Sequence, residues 1–290
     1  MRPRYGSFQI VKLVASTDMA NVFLARHVET GERVALKVLT GDYDRSRFER
    51  EARMLATTIH PNVVRYVGHG ITPRDDAWIA MEWLEGEDLG TRLESGPLSL
   101  GEVLAVARGL GAALAHIHAR GLVHRDVKPG NIFLQGGDVS CVRLLDFGIA
   151  RDGADPGLTG AYVVMGTPST MPPEQALDAR KADARADVFS FGAVLFHALT
   201  GRPLYTAAAP EQIFAQIVLA RAPRLSELVP FVPQELDELV ARALSRDPAA
   251  RHPNAGALLA ALANVRASSY FEDESVTRIR AAPVIACATG

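Results

Sequence analysis

Cysteine is almost missing from this chain: Cys141 and Cys287 are the two thiols among 290 residues. That count excludes a disulfide framework and a cysteine-built zinc site, and it suits a reducing compartment. A dominant charge is lacking too. Asp and Glu number 33 against 31 Lys and Arg, a net charge of -2, which argues against a general nucleic-acid binder and a polybasic membrane binder. The longest apolar candidate for a membrane span, Val188–Leu199, falls short of the ~18 residues required and carries His197. The opening segment MRPRYGSFQI has no apolar signal core. These absences lead to the expectation of a soluble, cytoplasmic chain with no membrane span and no nucleic-acid partner. His-Glu-x-x-His, nucleophilic-serine and dinucleotide signatures are also missing, and His60, His69, His116 and His118 read as structural.

What is present is enough apolar material for a core, at 48% hydrophobic residues. The length predicts one large domain or two lobes at ~150 residues per domain. The first third reads as strands at 8–14, 20–26, 33–39, 63–69 and 77–83, an antiparallel sheet. One helix interrupts it at about 45–59, with Phe48, Ala52, Leu55 and Ile59 on one face and His60-Pro61 at its end. After Glu85-Gly86-Glu87 the texture becomes helical. Ser99 and Glu102 have capping-box spacing, and Val103, Val106, Leu110, Leu114 and Ile117 form the buried stripe of a helix ending near Gly121. Short strands follow at 132–135 and 142–146, then a long Gly/Pro/Ala-rich loop at 152–173. Helices are predicted at about 185–200, 210–220, 233–244 and 254–264, and the remaining residues read as a polar tail. The expected organisation is α+β and bilobal. Residues 1–81 form the small lobe, 82–88 a connector, 89–264 the larger helical lobe and 265–290 a flexible tail.

Four fragments occur in order: Val34-Ala-Leu-Lys37, His124-Arg-Asp-Val-Lys-Pro-Gly-Asn131, Asp146-Phe-Gly148 and Pro172-Pro-Glu174. Over about residues 5–264 the chain resembles the eukaryotic-like (Hanks-type) protein kinase family in its bacterial serine/threonine branch. The resemblance implies a kinase fold, ATP with Mg2+ (or Mn2+), and transfer of the γ-phosphoryl group to Ser/Thr of proteins, including the chain itself. It implies Asp126 as the catalytic base, Lys128 as a stabiliser of the transferring group, and Asn131 and Asp146 as metal ligands. Lys37 then pairs with the phosphates and is fixed by Glu51. Val14, Ala15, Val22, Ala35, Met81, Glu82, Leu84 and Phe133 surround the nucleotide, with residues 82–84 as the hinge. Asp187 holds the backbone of the catalytic loop, and Glu174 with Arg251 forms a structural ion pair.

The chain departs from this family at one place above all. Where a phosphate-covering Gly-x-Gly-x-x-Gly-x-Val belongs, it reads Ala15-Ser-Thr17-Asp-Met-Ala20-Asn-Val22. Glycine permits a left-handed backbone and close approach to phosphate, so weakened ATP binding is the expectation, with Asp18 adding unfavourable charge. A pseudokinase acting as a signalling scaffold stays open as the alternative. Thr170-Met-Pro-Pro-Glu174 also departs, at the substrate groove. For regulation the resemblance implies an activation loop between Asp146 and Glu174 bound by Arg125, with Thr159 as the preferred autophosphorylation site and Thr167 as a contact of Asp126 and Lys128. Thr277, behind the acidic cluster Glu272-Asp-Glu274, reads as a solvated tail residue or as a phospho-dependent docking element.

Overall fold

Alternating apolar residues in the first 82 positions build a sheet. A computed structural model describes residues 3–17, 20–40, 43–146, 168–178, 181–207 and 209–265; the side chains of Arg47, Arg50, Glu51 and Pro210 lie outside the description. The strands are β1 (Arg4–Tyr5), β2 (Phe8–Ser16), β3 (Ala20–His27), β4 (Arg33–Leu39), β5 (Tyr66–Ile71) and β6 (Ala77–Glu82). They form one antiparallel sheet in the order β1-β2-β3-β4-β6-β5. Each face buries its own core, as period-two alternation requires. Phe8, Val34, Leu36, Val38 and Trp78 pack on one side. Leu39, Ile79 and Met81 pack on the other, against Phe48, Ala52 and Leu55 of helix α1 (Arg45–Thr57).

Two expectations in this region are corrected. The helix stops at Thr57, because the Thr58 N–H and hydroxyl turn back to the carbonyls of Leu55 and Met54. Ile59 therefore leaves the helical phase and is 83% exposed instead of joining the apolar face. The strand expected at 63–69 begins only at Tyr66, since residues 62–64 pair elsewhere. The Leu144 N–H donates to Asn62 O and the Val64 N–H to Leu144 O.

The partner in that exchange is a second sheet, β7 (Gly86–Asp88), β8 (Ile132–Gln135) and β9 (Val142–Leu144), antiparallel in that order. Gly86 starts it at φ +136°, where a Cβ would lie 2.1 Å from Leu134 O, so only glycine fits. Helix α2 (Leu89–Glu94) follows, capped by Asp88, whose carboxylate accepts the Thr91 N–H. Neither β1, β7 nor α2 was expected from the pattern; all are six residues or shorter, too short to show a period.

Helix α3 (Leu100–His118) opens with the predicted capping box. The Glu102 N–H donates to Ser99 Oγ at 3.3 Å and the Ser99 N–H to Glu102 Oε2 at 2.8 Å. By length and composition alone α3, at mean hydropathy 1.4, matches the requirements of a membrane span. Here it is the central core helix, with its predicted stripe fully buried. Around it lie α4 (Pro173–Leu177), α5 (Ala184–Thr200), α6 (Pro210–Leu219), α7 (Gln234–Ala243) and α8 (Ala255–Leu262). Helix α5 is buried along nearly its whole length and ends at Gly201 in the left-handed region, φ 69°.

Candidate active site

The sheet contributes one row of side chains per strand. Register pairs Val22 with Lys37 and Lys37 with Ile79; two residues along, Leu24 pairs with Ala35 and Ala35 with Met81. Val22, Ala35, Lys37 and Met81 thus share the face of the sheet that also packs on α1. Phe133, flanked by the buried Ile132 and Leu134, lies on the opposite face of β8 from the large core. Lys37 reaches out of the sheet to Asp146, with Nζ 2.9 Å from Oδ2 and both side chains partly buried. Asp146 stands two residues beyond β9 at φ 40°, a left-handed conformation that costs a non-glycine residue about 1 kcal/mol. Glu51 lies on α1, and its side chain lies outside the described residues.

A second cluster forms on the loop before β8. The Asn131 Nδ2 group donates to Asp126 O at 2.8 Å and to Asp126 Oδ2 at 2.9 Å. Both partners are acceptors, so the Asn131 Oδ1 atom points away from them. Lys128 Nζ lies 3.1 Å from the same Asp126 oxygen. Residue 145 joins the two clusters. The Leu145 N–H donates to Asn131 O at 2.8 Å, and Leu145 O lies 2.8 Å from His124 Nε2. Asp126, Lys128 and Asn131 are therefore held beside the segment that ends in Asp146 and its lysine.

Buried groups far away in sequence fix this loop. Asp187 accepts the His124 N–H at 2.7 Å and the Arg125 N–H at 2.8 Å. Its Oδ2 also lies 2.9 Å from His118 Nε2. His118 Nδ1 accepts the Ala255 N–H at 3.0 Å, so the ring proton sits on Nε2 and points at Asp187. Burial alone would raise the Asp187 pKa; the His118 hydrogen bond, reinforced by the nearby imidazoles and the backbone N–H, holds it below the usual carboxylate range. Arg125 takes φ 64° there, a second strained residue held by long-range bonds. Gln175 was not anticipated; its Nε2 donates to Arg125 O at 3.0 Å. The signal was its place directly after Glu174. Glu174 accepts two bonds from Arg251, at 2.5 and 2.8 Å, and the Arg251 side chain is wholly buried.

The hairpin of residues 15–20 settles one physical argument. Ala15, Thr17 and Ala20, where the family pattern has glycine, are not among the left-handed residues, so the described hairpin carries no such strain. The turn closes on itself. The Thr17 N–H donates to Ala20 O at 2.9 Å, and the Ala20 N–H donates to Thr17 Oγ1 at 3.1 Å. Ser16 Oγ donates to Asn21 Oδ1 at 2.7 Å. Val14 sits at the irregularity between Leu13 and Ala15 and is half-exposed. At the connector, Glu82 is occupied: its N–H donates to Arg65 O and its carboxylate accepts the Arg65 N–H. Among the described residues none accepts a bond from the Trp83 or Leu84 N–H, which leaves these donors open to a ligand. Asp18, Phe147, Gly148, Thr159, Thr167 and Thr277 lie outside the described residues.

Comparison with known proteins shows the family. Residues 8–261 match the model of the protein kinase domain. The serine/threonine-protein kinase pkn2 of Myxococcus xanthus is 37% identical over 269 residues, which are 89% of this chain and 32% of that protein. The kinase PknD of Mycobacterium tuberculosis is 34% identical over 95% of this chain and 42% of its own. PrkC of Bacillus subtilis is 32% identical over 97% of this chain and 44% of its own. The chain thus spans a third to under half the length of these relatives. The crystal structure of Rad53 1-466 in complex with AMP-PNP superposes with TM-score 0.73 at 24% identity, covering 87% of this chain and 64% of that one.

Proposed function

Since this chain belongs to the protein kinase domain family, we propose that it transfers the γ-phosphoryl group of ATP to serine and threonine of proteins, itself included. The observation that carries the reading is the joining of the Lys37–Asp146 pair to the Asp126–Lys128–Asn131 cluster through Leu145. Phosphoryl transfer is mostly positioning and charge neutralisation, and this arrangement supplies both.

Each residue has a role under this reading. Asp126 accepts the proton of the attacking hydroxyl, oriented for it by Asn131 Nδ2. Lys128 neutralises charge on the group in transfer, beside that same carboxylate. Lys37 grips the α- and β-phosphates, and Glu51 on α1 fixes it. Asn131 and Asp146 offer hard oxygen donors. Such a pair fits Mg2+, which takes one or two protein oxygens and completes its shell with phosphate and water. Bound there, Mg2+ would neutralise the charge of the triphosphate. The adenine lies between Val14, Val22 and Ala35 above and Phe133 below, closed at the back by Met81, its edge bonded by the backbone of Glu82–Leu84. ATP use is supported by the family and by the AMP-PNP complex of the Rad53 fragment.

Thr17 weakens the grip. Its hydroxyl already takes the Ala20 N–H, and methyl groups stand at positions 15 and 20 where bare Cα atoms allow close approach. Residues 1–81, 82–88, 89–264 and 265–290 act as small lobe, hinge, large lobe and tail, and Thr159 is the first autophosphorylation site. Incubation with γ-labelled ATP and Mg2+ tests the reading. Label on serine or threonine is expected for the wild type and none for Asp126→Asn. Equal label on both, or none on either, contradicts it.

A further inference from the structure

Away from this site, the sequence between α6 and α8 folds around a hollow of about 460 Å³ walled by four arginines: Arg221, Arg224, Arg242 and Arg246. The arginines are placed by the fold. Arg246 donates to the last carbonyls of α6, Leu219 O at 3.2 Å and Val218 O. Arg242 donates to Ala250 O at 3.2 Å. Arg224 donates twice to Asp237, at 3.0 and 2.8 Å. Arg221 is exposed and makes no bond to a described residue.

A guanidinium carries five N–H donors. Arg246 and Arg224 each spend two on protein, Arg242 one and Arg221 none, so most donors around the hollow stay open. Much of the charge is unspent too. Of these four arginines Arg224 alone is ion-paired with a described carboxylate. Glu238, the one acid in the wall, accepts from the neutral Gln234 amide at 2.7 Å and keeps its charge. With Asp237 and Glu227 it acts on Arg224, so the negative charge is gathered at that one arginine and leaves the other three to a ligand. Backbone carbonyls orient two of these cations without neutralising them, and converging guanidinium groups of this kind suit a phosphate. No aromatic ring lines the hollow to stack a base, which disfavours a nucleotide.

We infer that this hollow docks a phosphorylated serine or threonine segment of a protein, the product class of the kinase reading on which this inference rests. Docking there would hold an already modified chain against the large lobe while another hydroxyl reaches Asp126.

The test uses a fluorescent peptide of residues 271–280, whose acidic triplet precedes Thr277, made with and without phosphate on Thr277. Anisotropy with the full chain should show the phosphorylated form binding about tenfold tighter or more, and Arg221→Glu should remove that advantage. Because Arg221 is exposed and bonds to no described residue, the melting temperature of the variant should not change. Equal binding of both peptides, or binding indifferent to Arg221→Glu, overturns the inference. Displacement of the peptide by an equal concentration of inorganic phosphate also overturns it, because it would reduce the site to one for free anions. Binding needs no phosphoryl transfer, so the peptide result stands apart from the labelling result. Selective docking without label would fail only the kinase reading, and label without docking only this one.

Discussion

The hairpin at residues 15–20 and the loop at 124–131 both belong to the nucleotide site proposed above, and they are held in opposite ways. The hairpin is tied by contacts three to five residues apart, Thr17 to Ala20 and Ser16 to Asn21. The loop is tied by Asp187, more than sixty residues away, by Leu145 and by Gln175. A locally closed turn can change its residues without disturbing anything else. A loop held by a buried carboxylate, with Arg125 strained, cannot. The difference lets the hairpin carry Ala15, Thr17 and Ala20 without consequence for the loop.

The comparison breaks hardest at Asp126. Under the proposed reaction, replacing Asp126 with Asn keeps the shape and removes the proton acceptor, so the transfer rate should fall about a hundred- to ten-thousandfold, while the melting temperature drops only by the small amount that loss of the Lys128 pair costs. Cooperative unfolding lost in the variant, or a rate within about tenfold of the wild type, would make Asp126 structural. Next in size is Arg251→Ala. It strands the Glu174 carboxylate and should cost about 3–5 kcal/mol in urea denaturation. A loss under 1 kcal/mol would deny the long-range bracing of this region.

Acid should act on the helical lobe at a smaller scale. His116, His197 and His252 each bury a ring nitrogen that has no hydrogen-bond partner among the described residues. Burial pushes the pKa of each below its ordinary value of 6.5. Below that value the unfolded chain binds protons that the folded chain refuses, so stability is lost as pH falls from about 6.5. Asp187 and Asp237 are shifted down as well, and their contributions persist until pH falls below the ordinary aspartate value of 3.8. The melting temperature should therefore drop between about pH 6.5 and 5, and less so in His197→Leu. A flat profile over that interval would show that the three rings do not titrate as argued.

The smallest effect belongs to the hairpin. Thr17→Gly frees the Ala20 N–H and should tighten ATP binding severalfold while lowering stability by about 1 kcal/mol or less. Weaker ATP binding in that variant would mean that the Thr17 hydroxyl serves the nucleotide directly.

Much of this was legible from residue order. The stripe of α3, the capping box at Ser99, the Gly201 stop and the strand carrying Lys37 follow from period and capping chemistry, and they appear where expected. What escaped detection depended on distant partners. Ile59 continues the spacing of α1 but lies outside, because Thr58 turns the chain. Val63 and Val64 look like the start of β5 but pair with β9. Of the site, the motifs named the side chains. They could not show that Lys37 meets Asp146 directly, that Leu145 links the two clusters, or that the hairpin avoids left-handed backbone at Ala15, Thr17 and Ala20. Those facts arise from contacts across the fold or from turn geometry.

The central claim is that Lys37, Asp126, Asn131 and Asp146 make one nucleotide site although the hairpin lacks glycine. Calorimetric titration of the wild-type chain and of Lys37→Met with ATP and Mg2+ tests it most directly. The account predicts saturable one-to-one binding by the wild type, weakened about tenfold or more in the variant. Heat of binding that is absent from the wild type, or identical in both proteins, would contradict it.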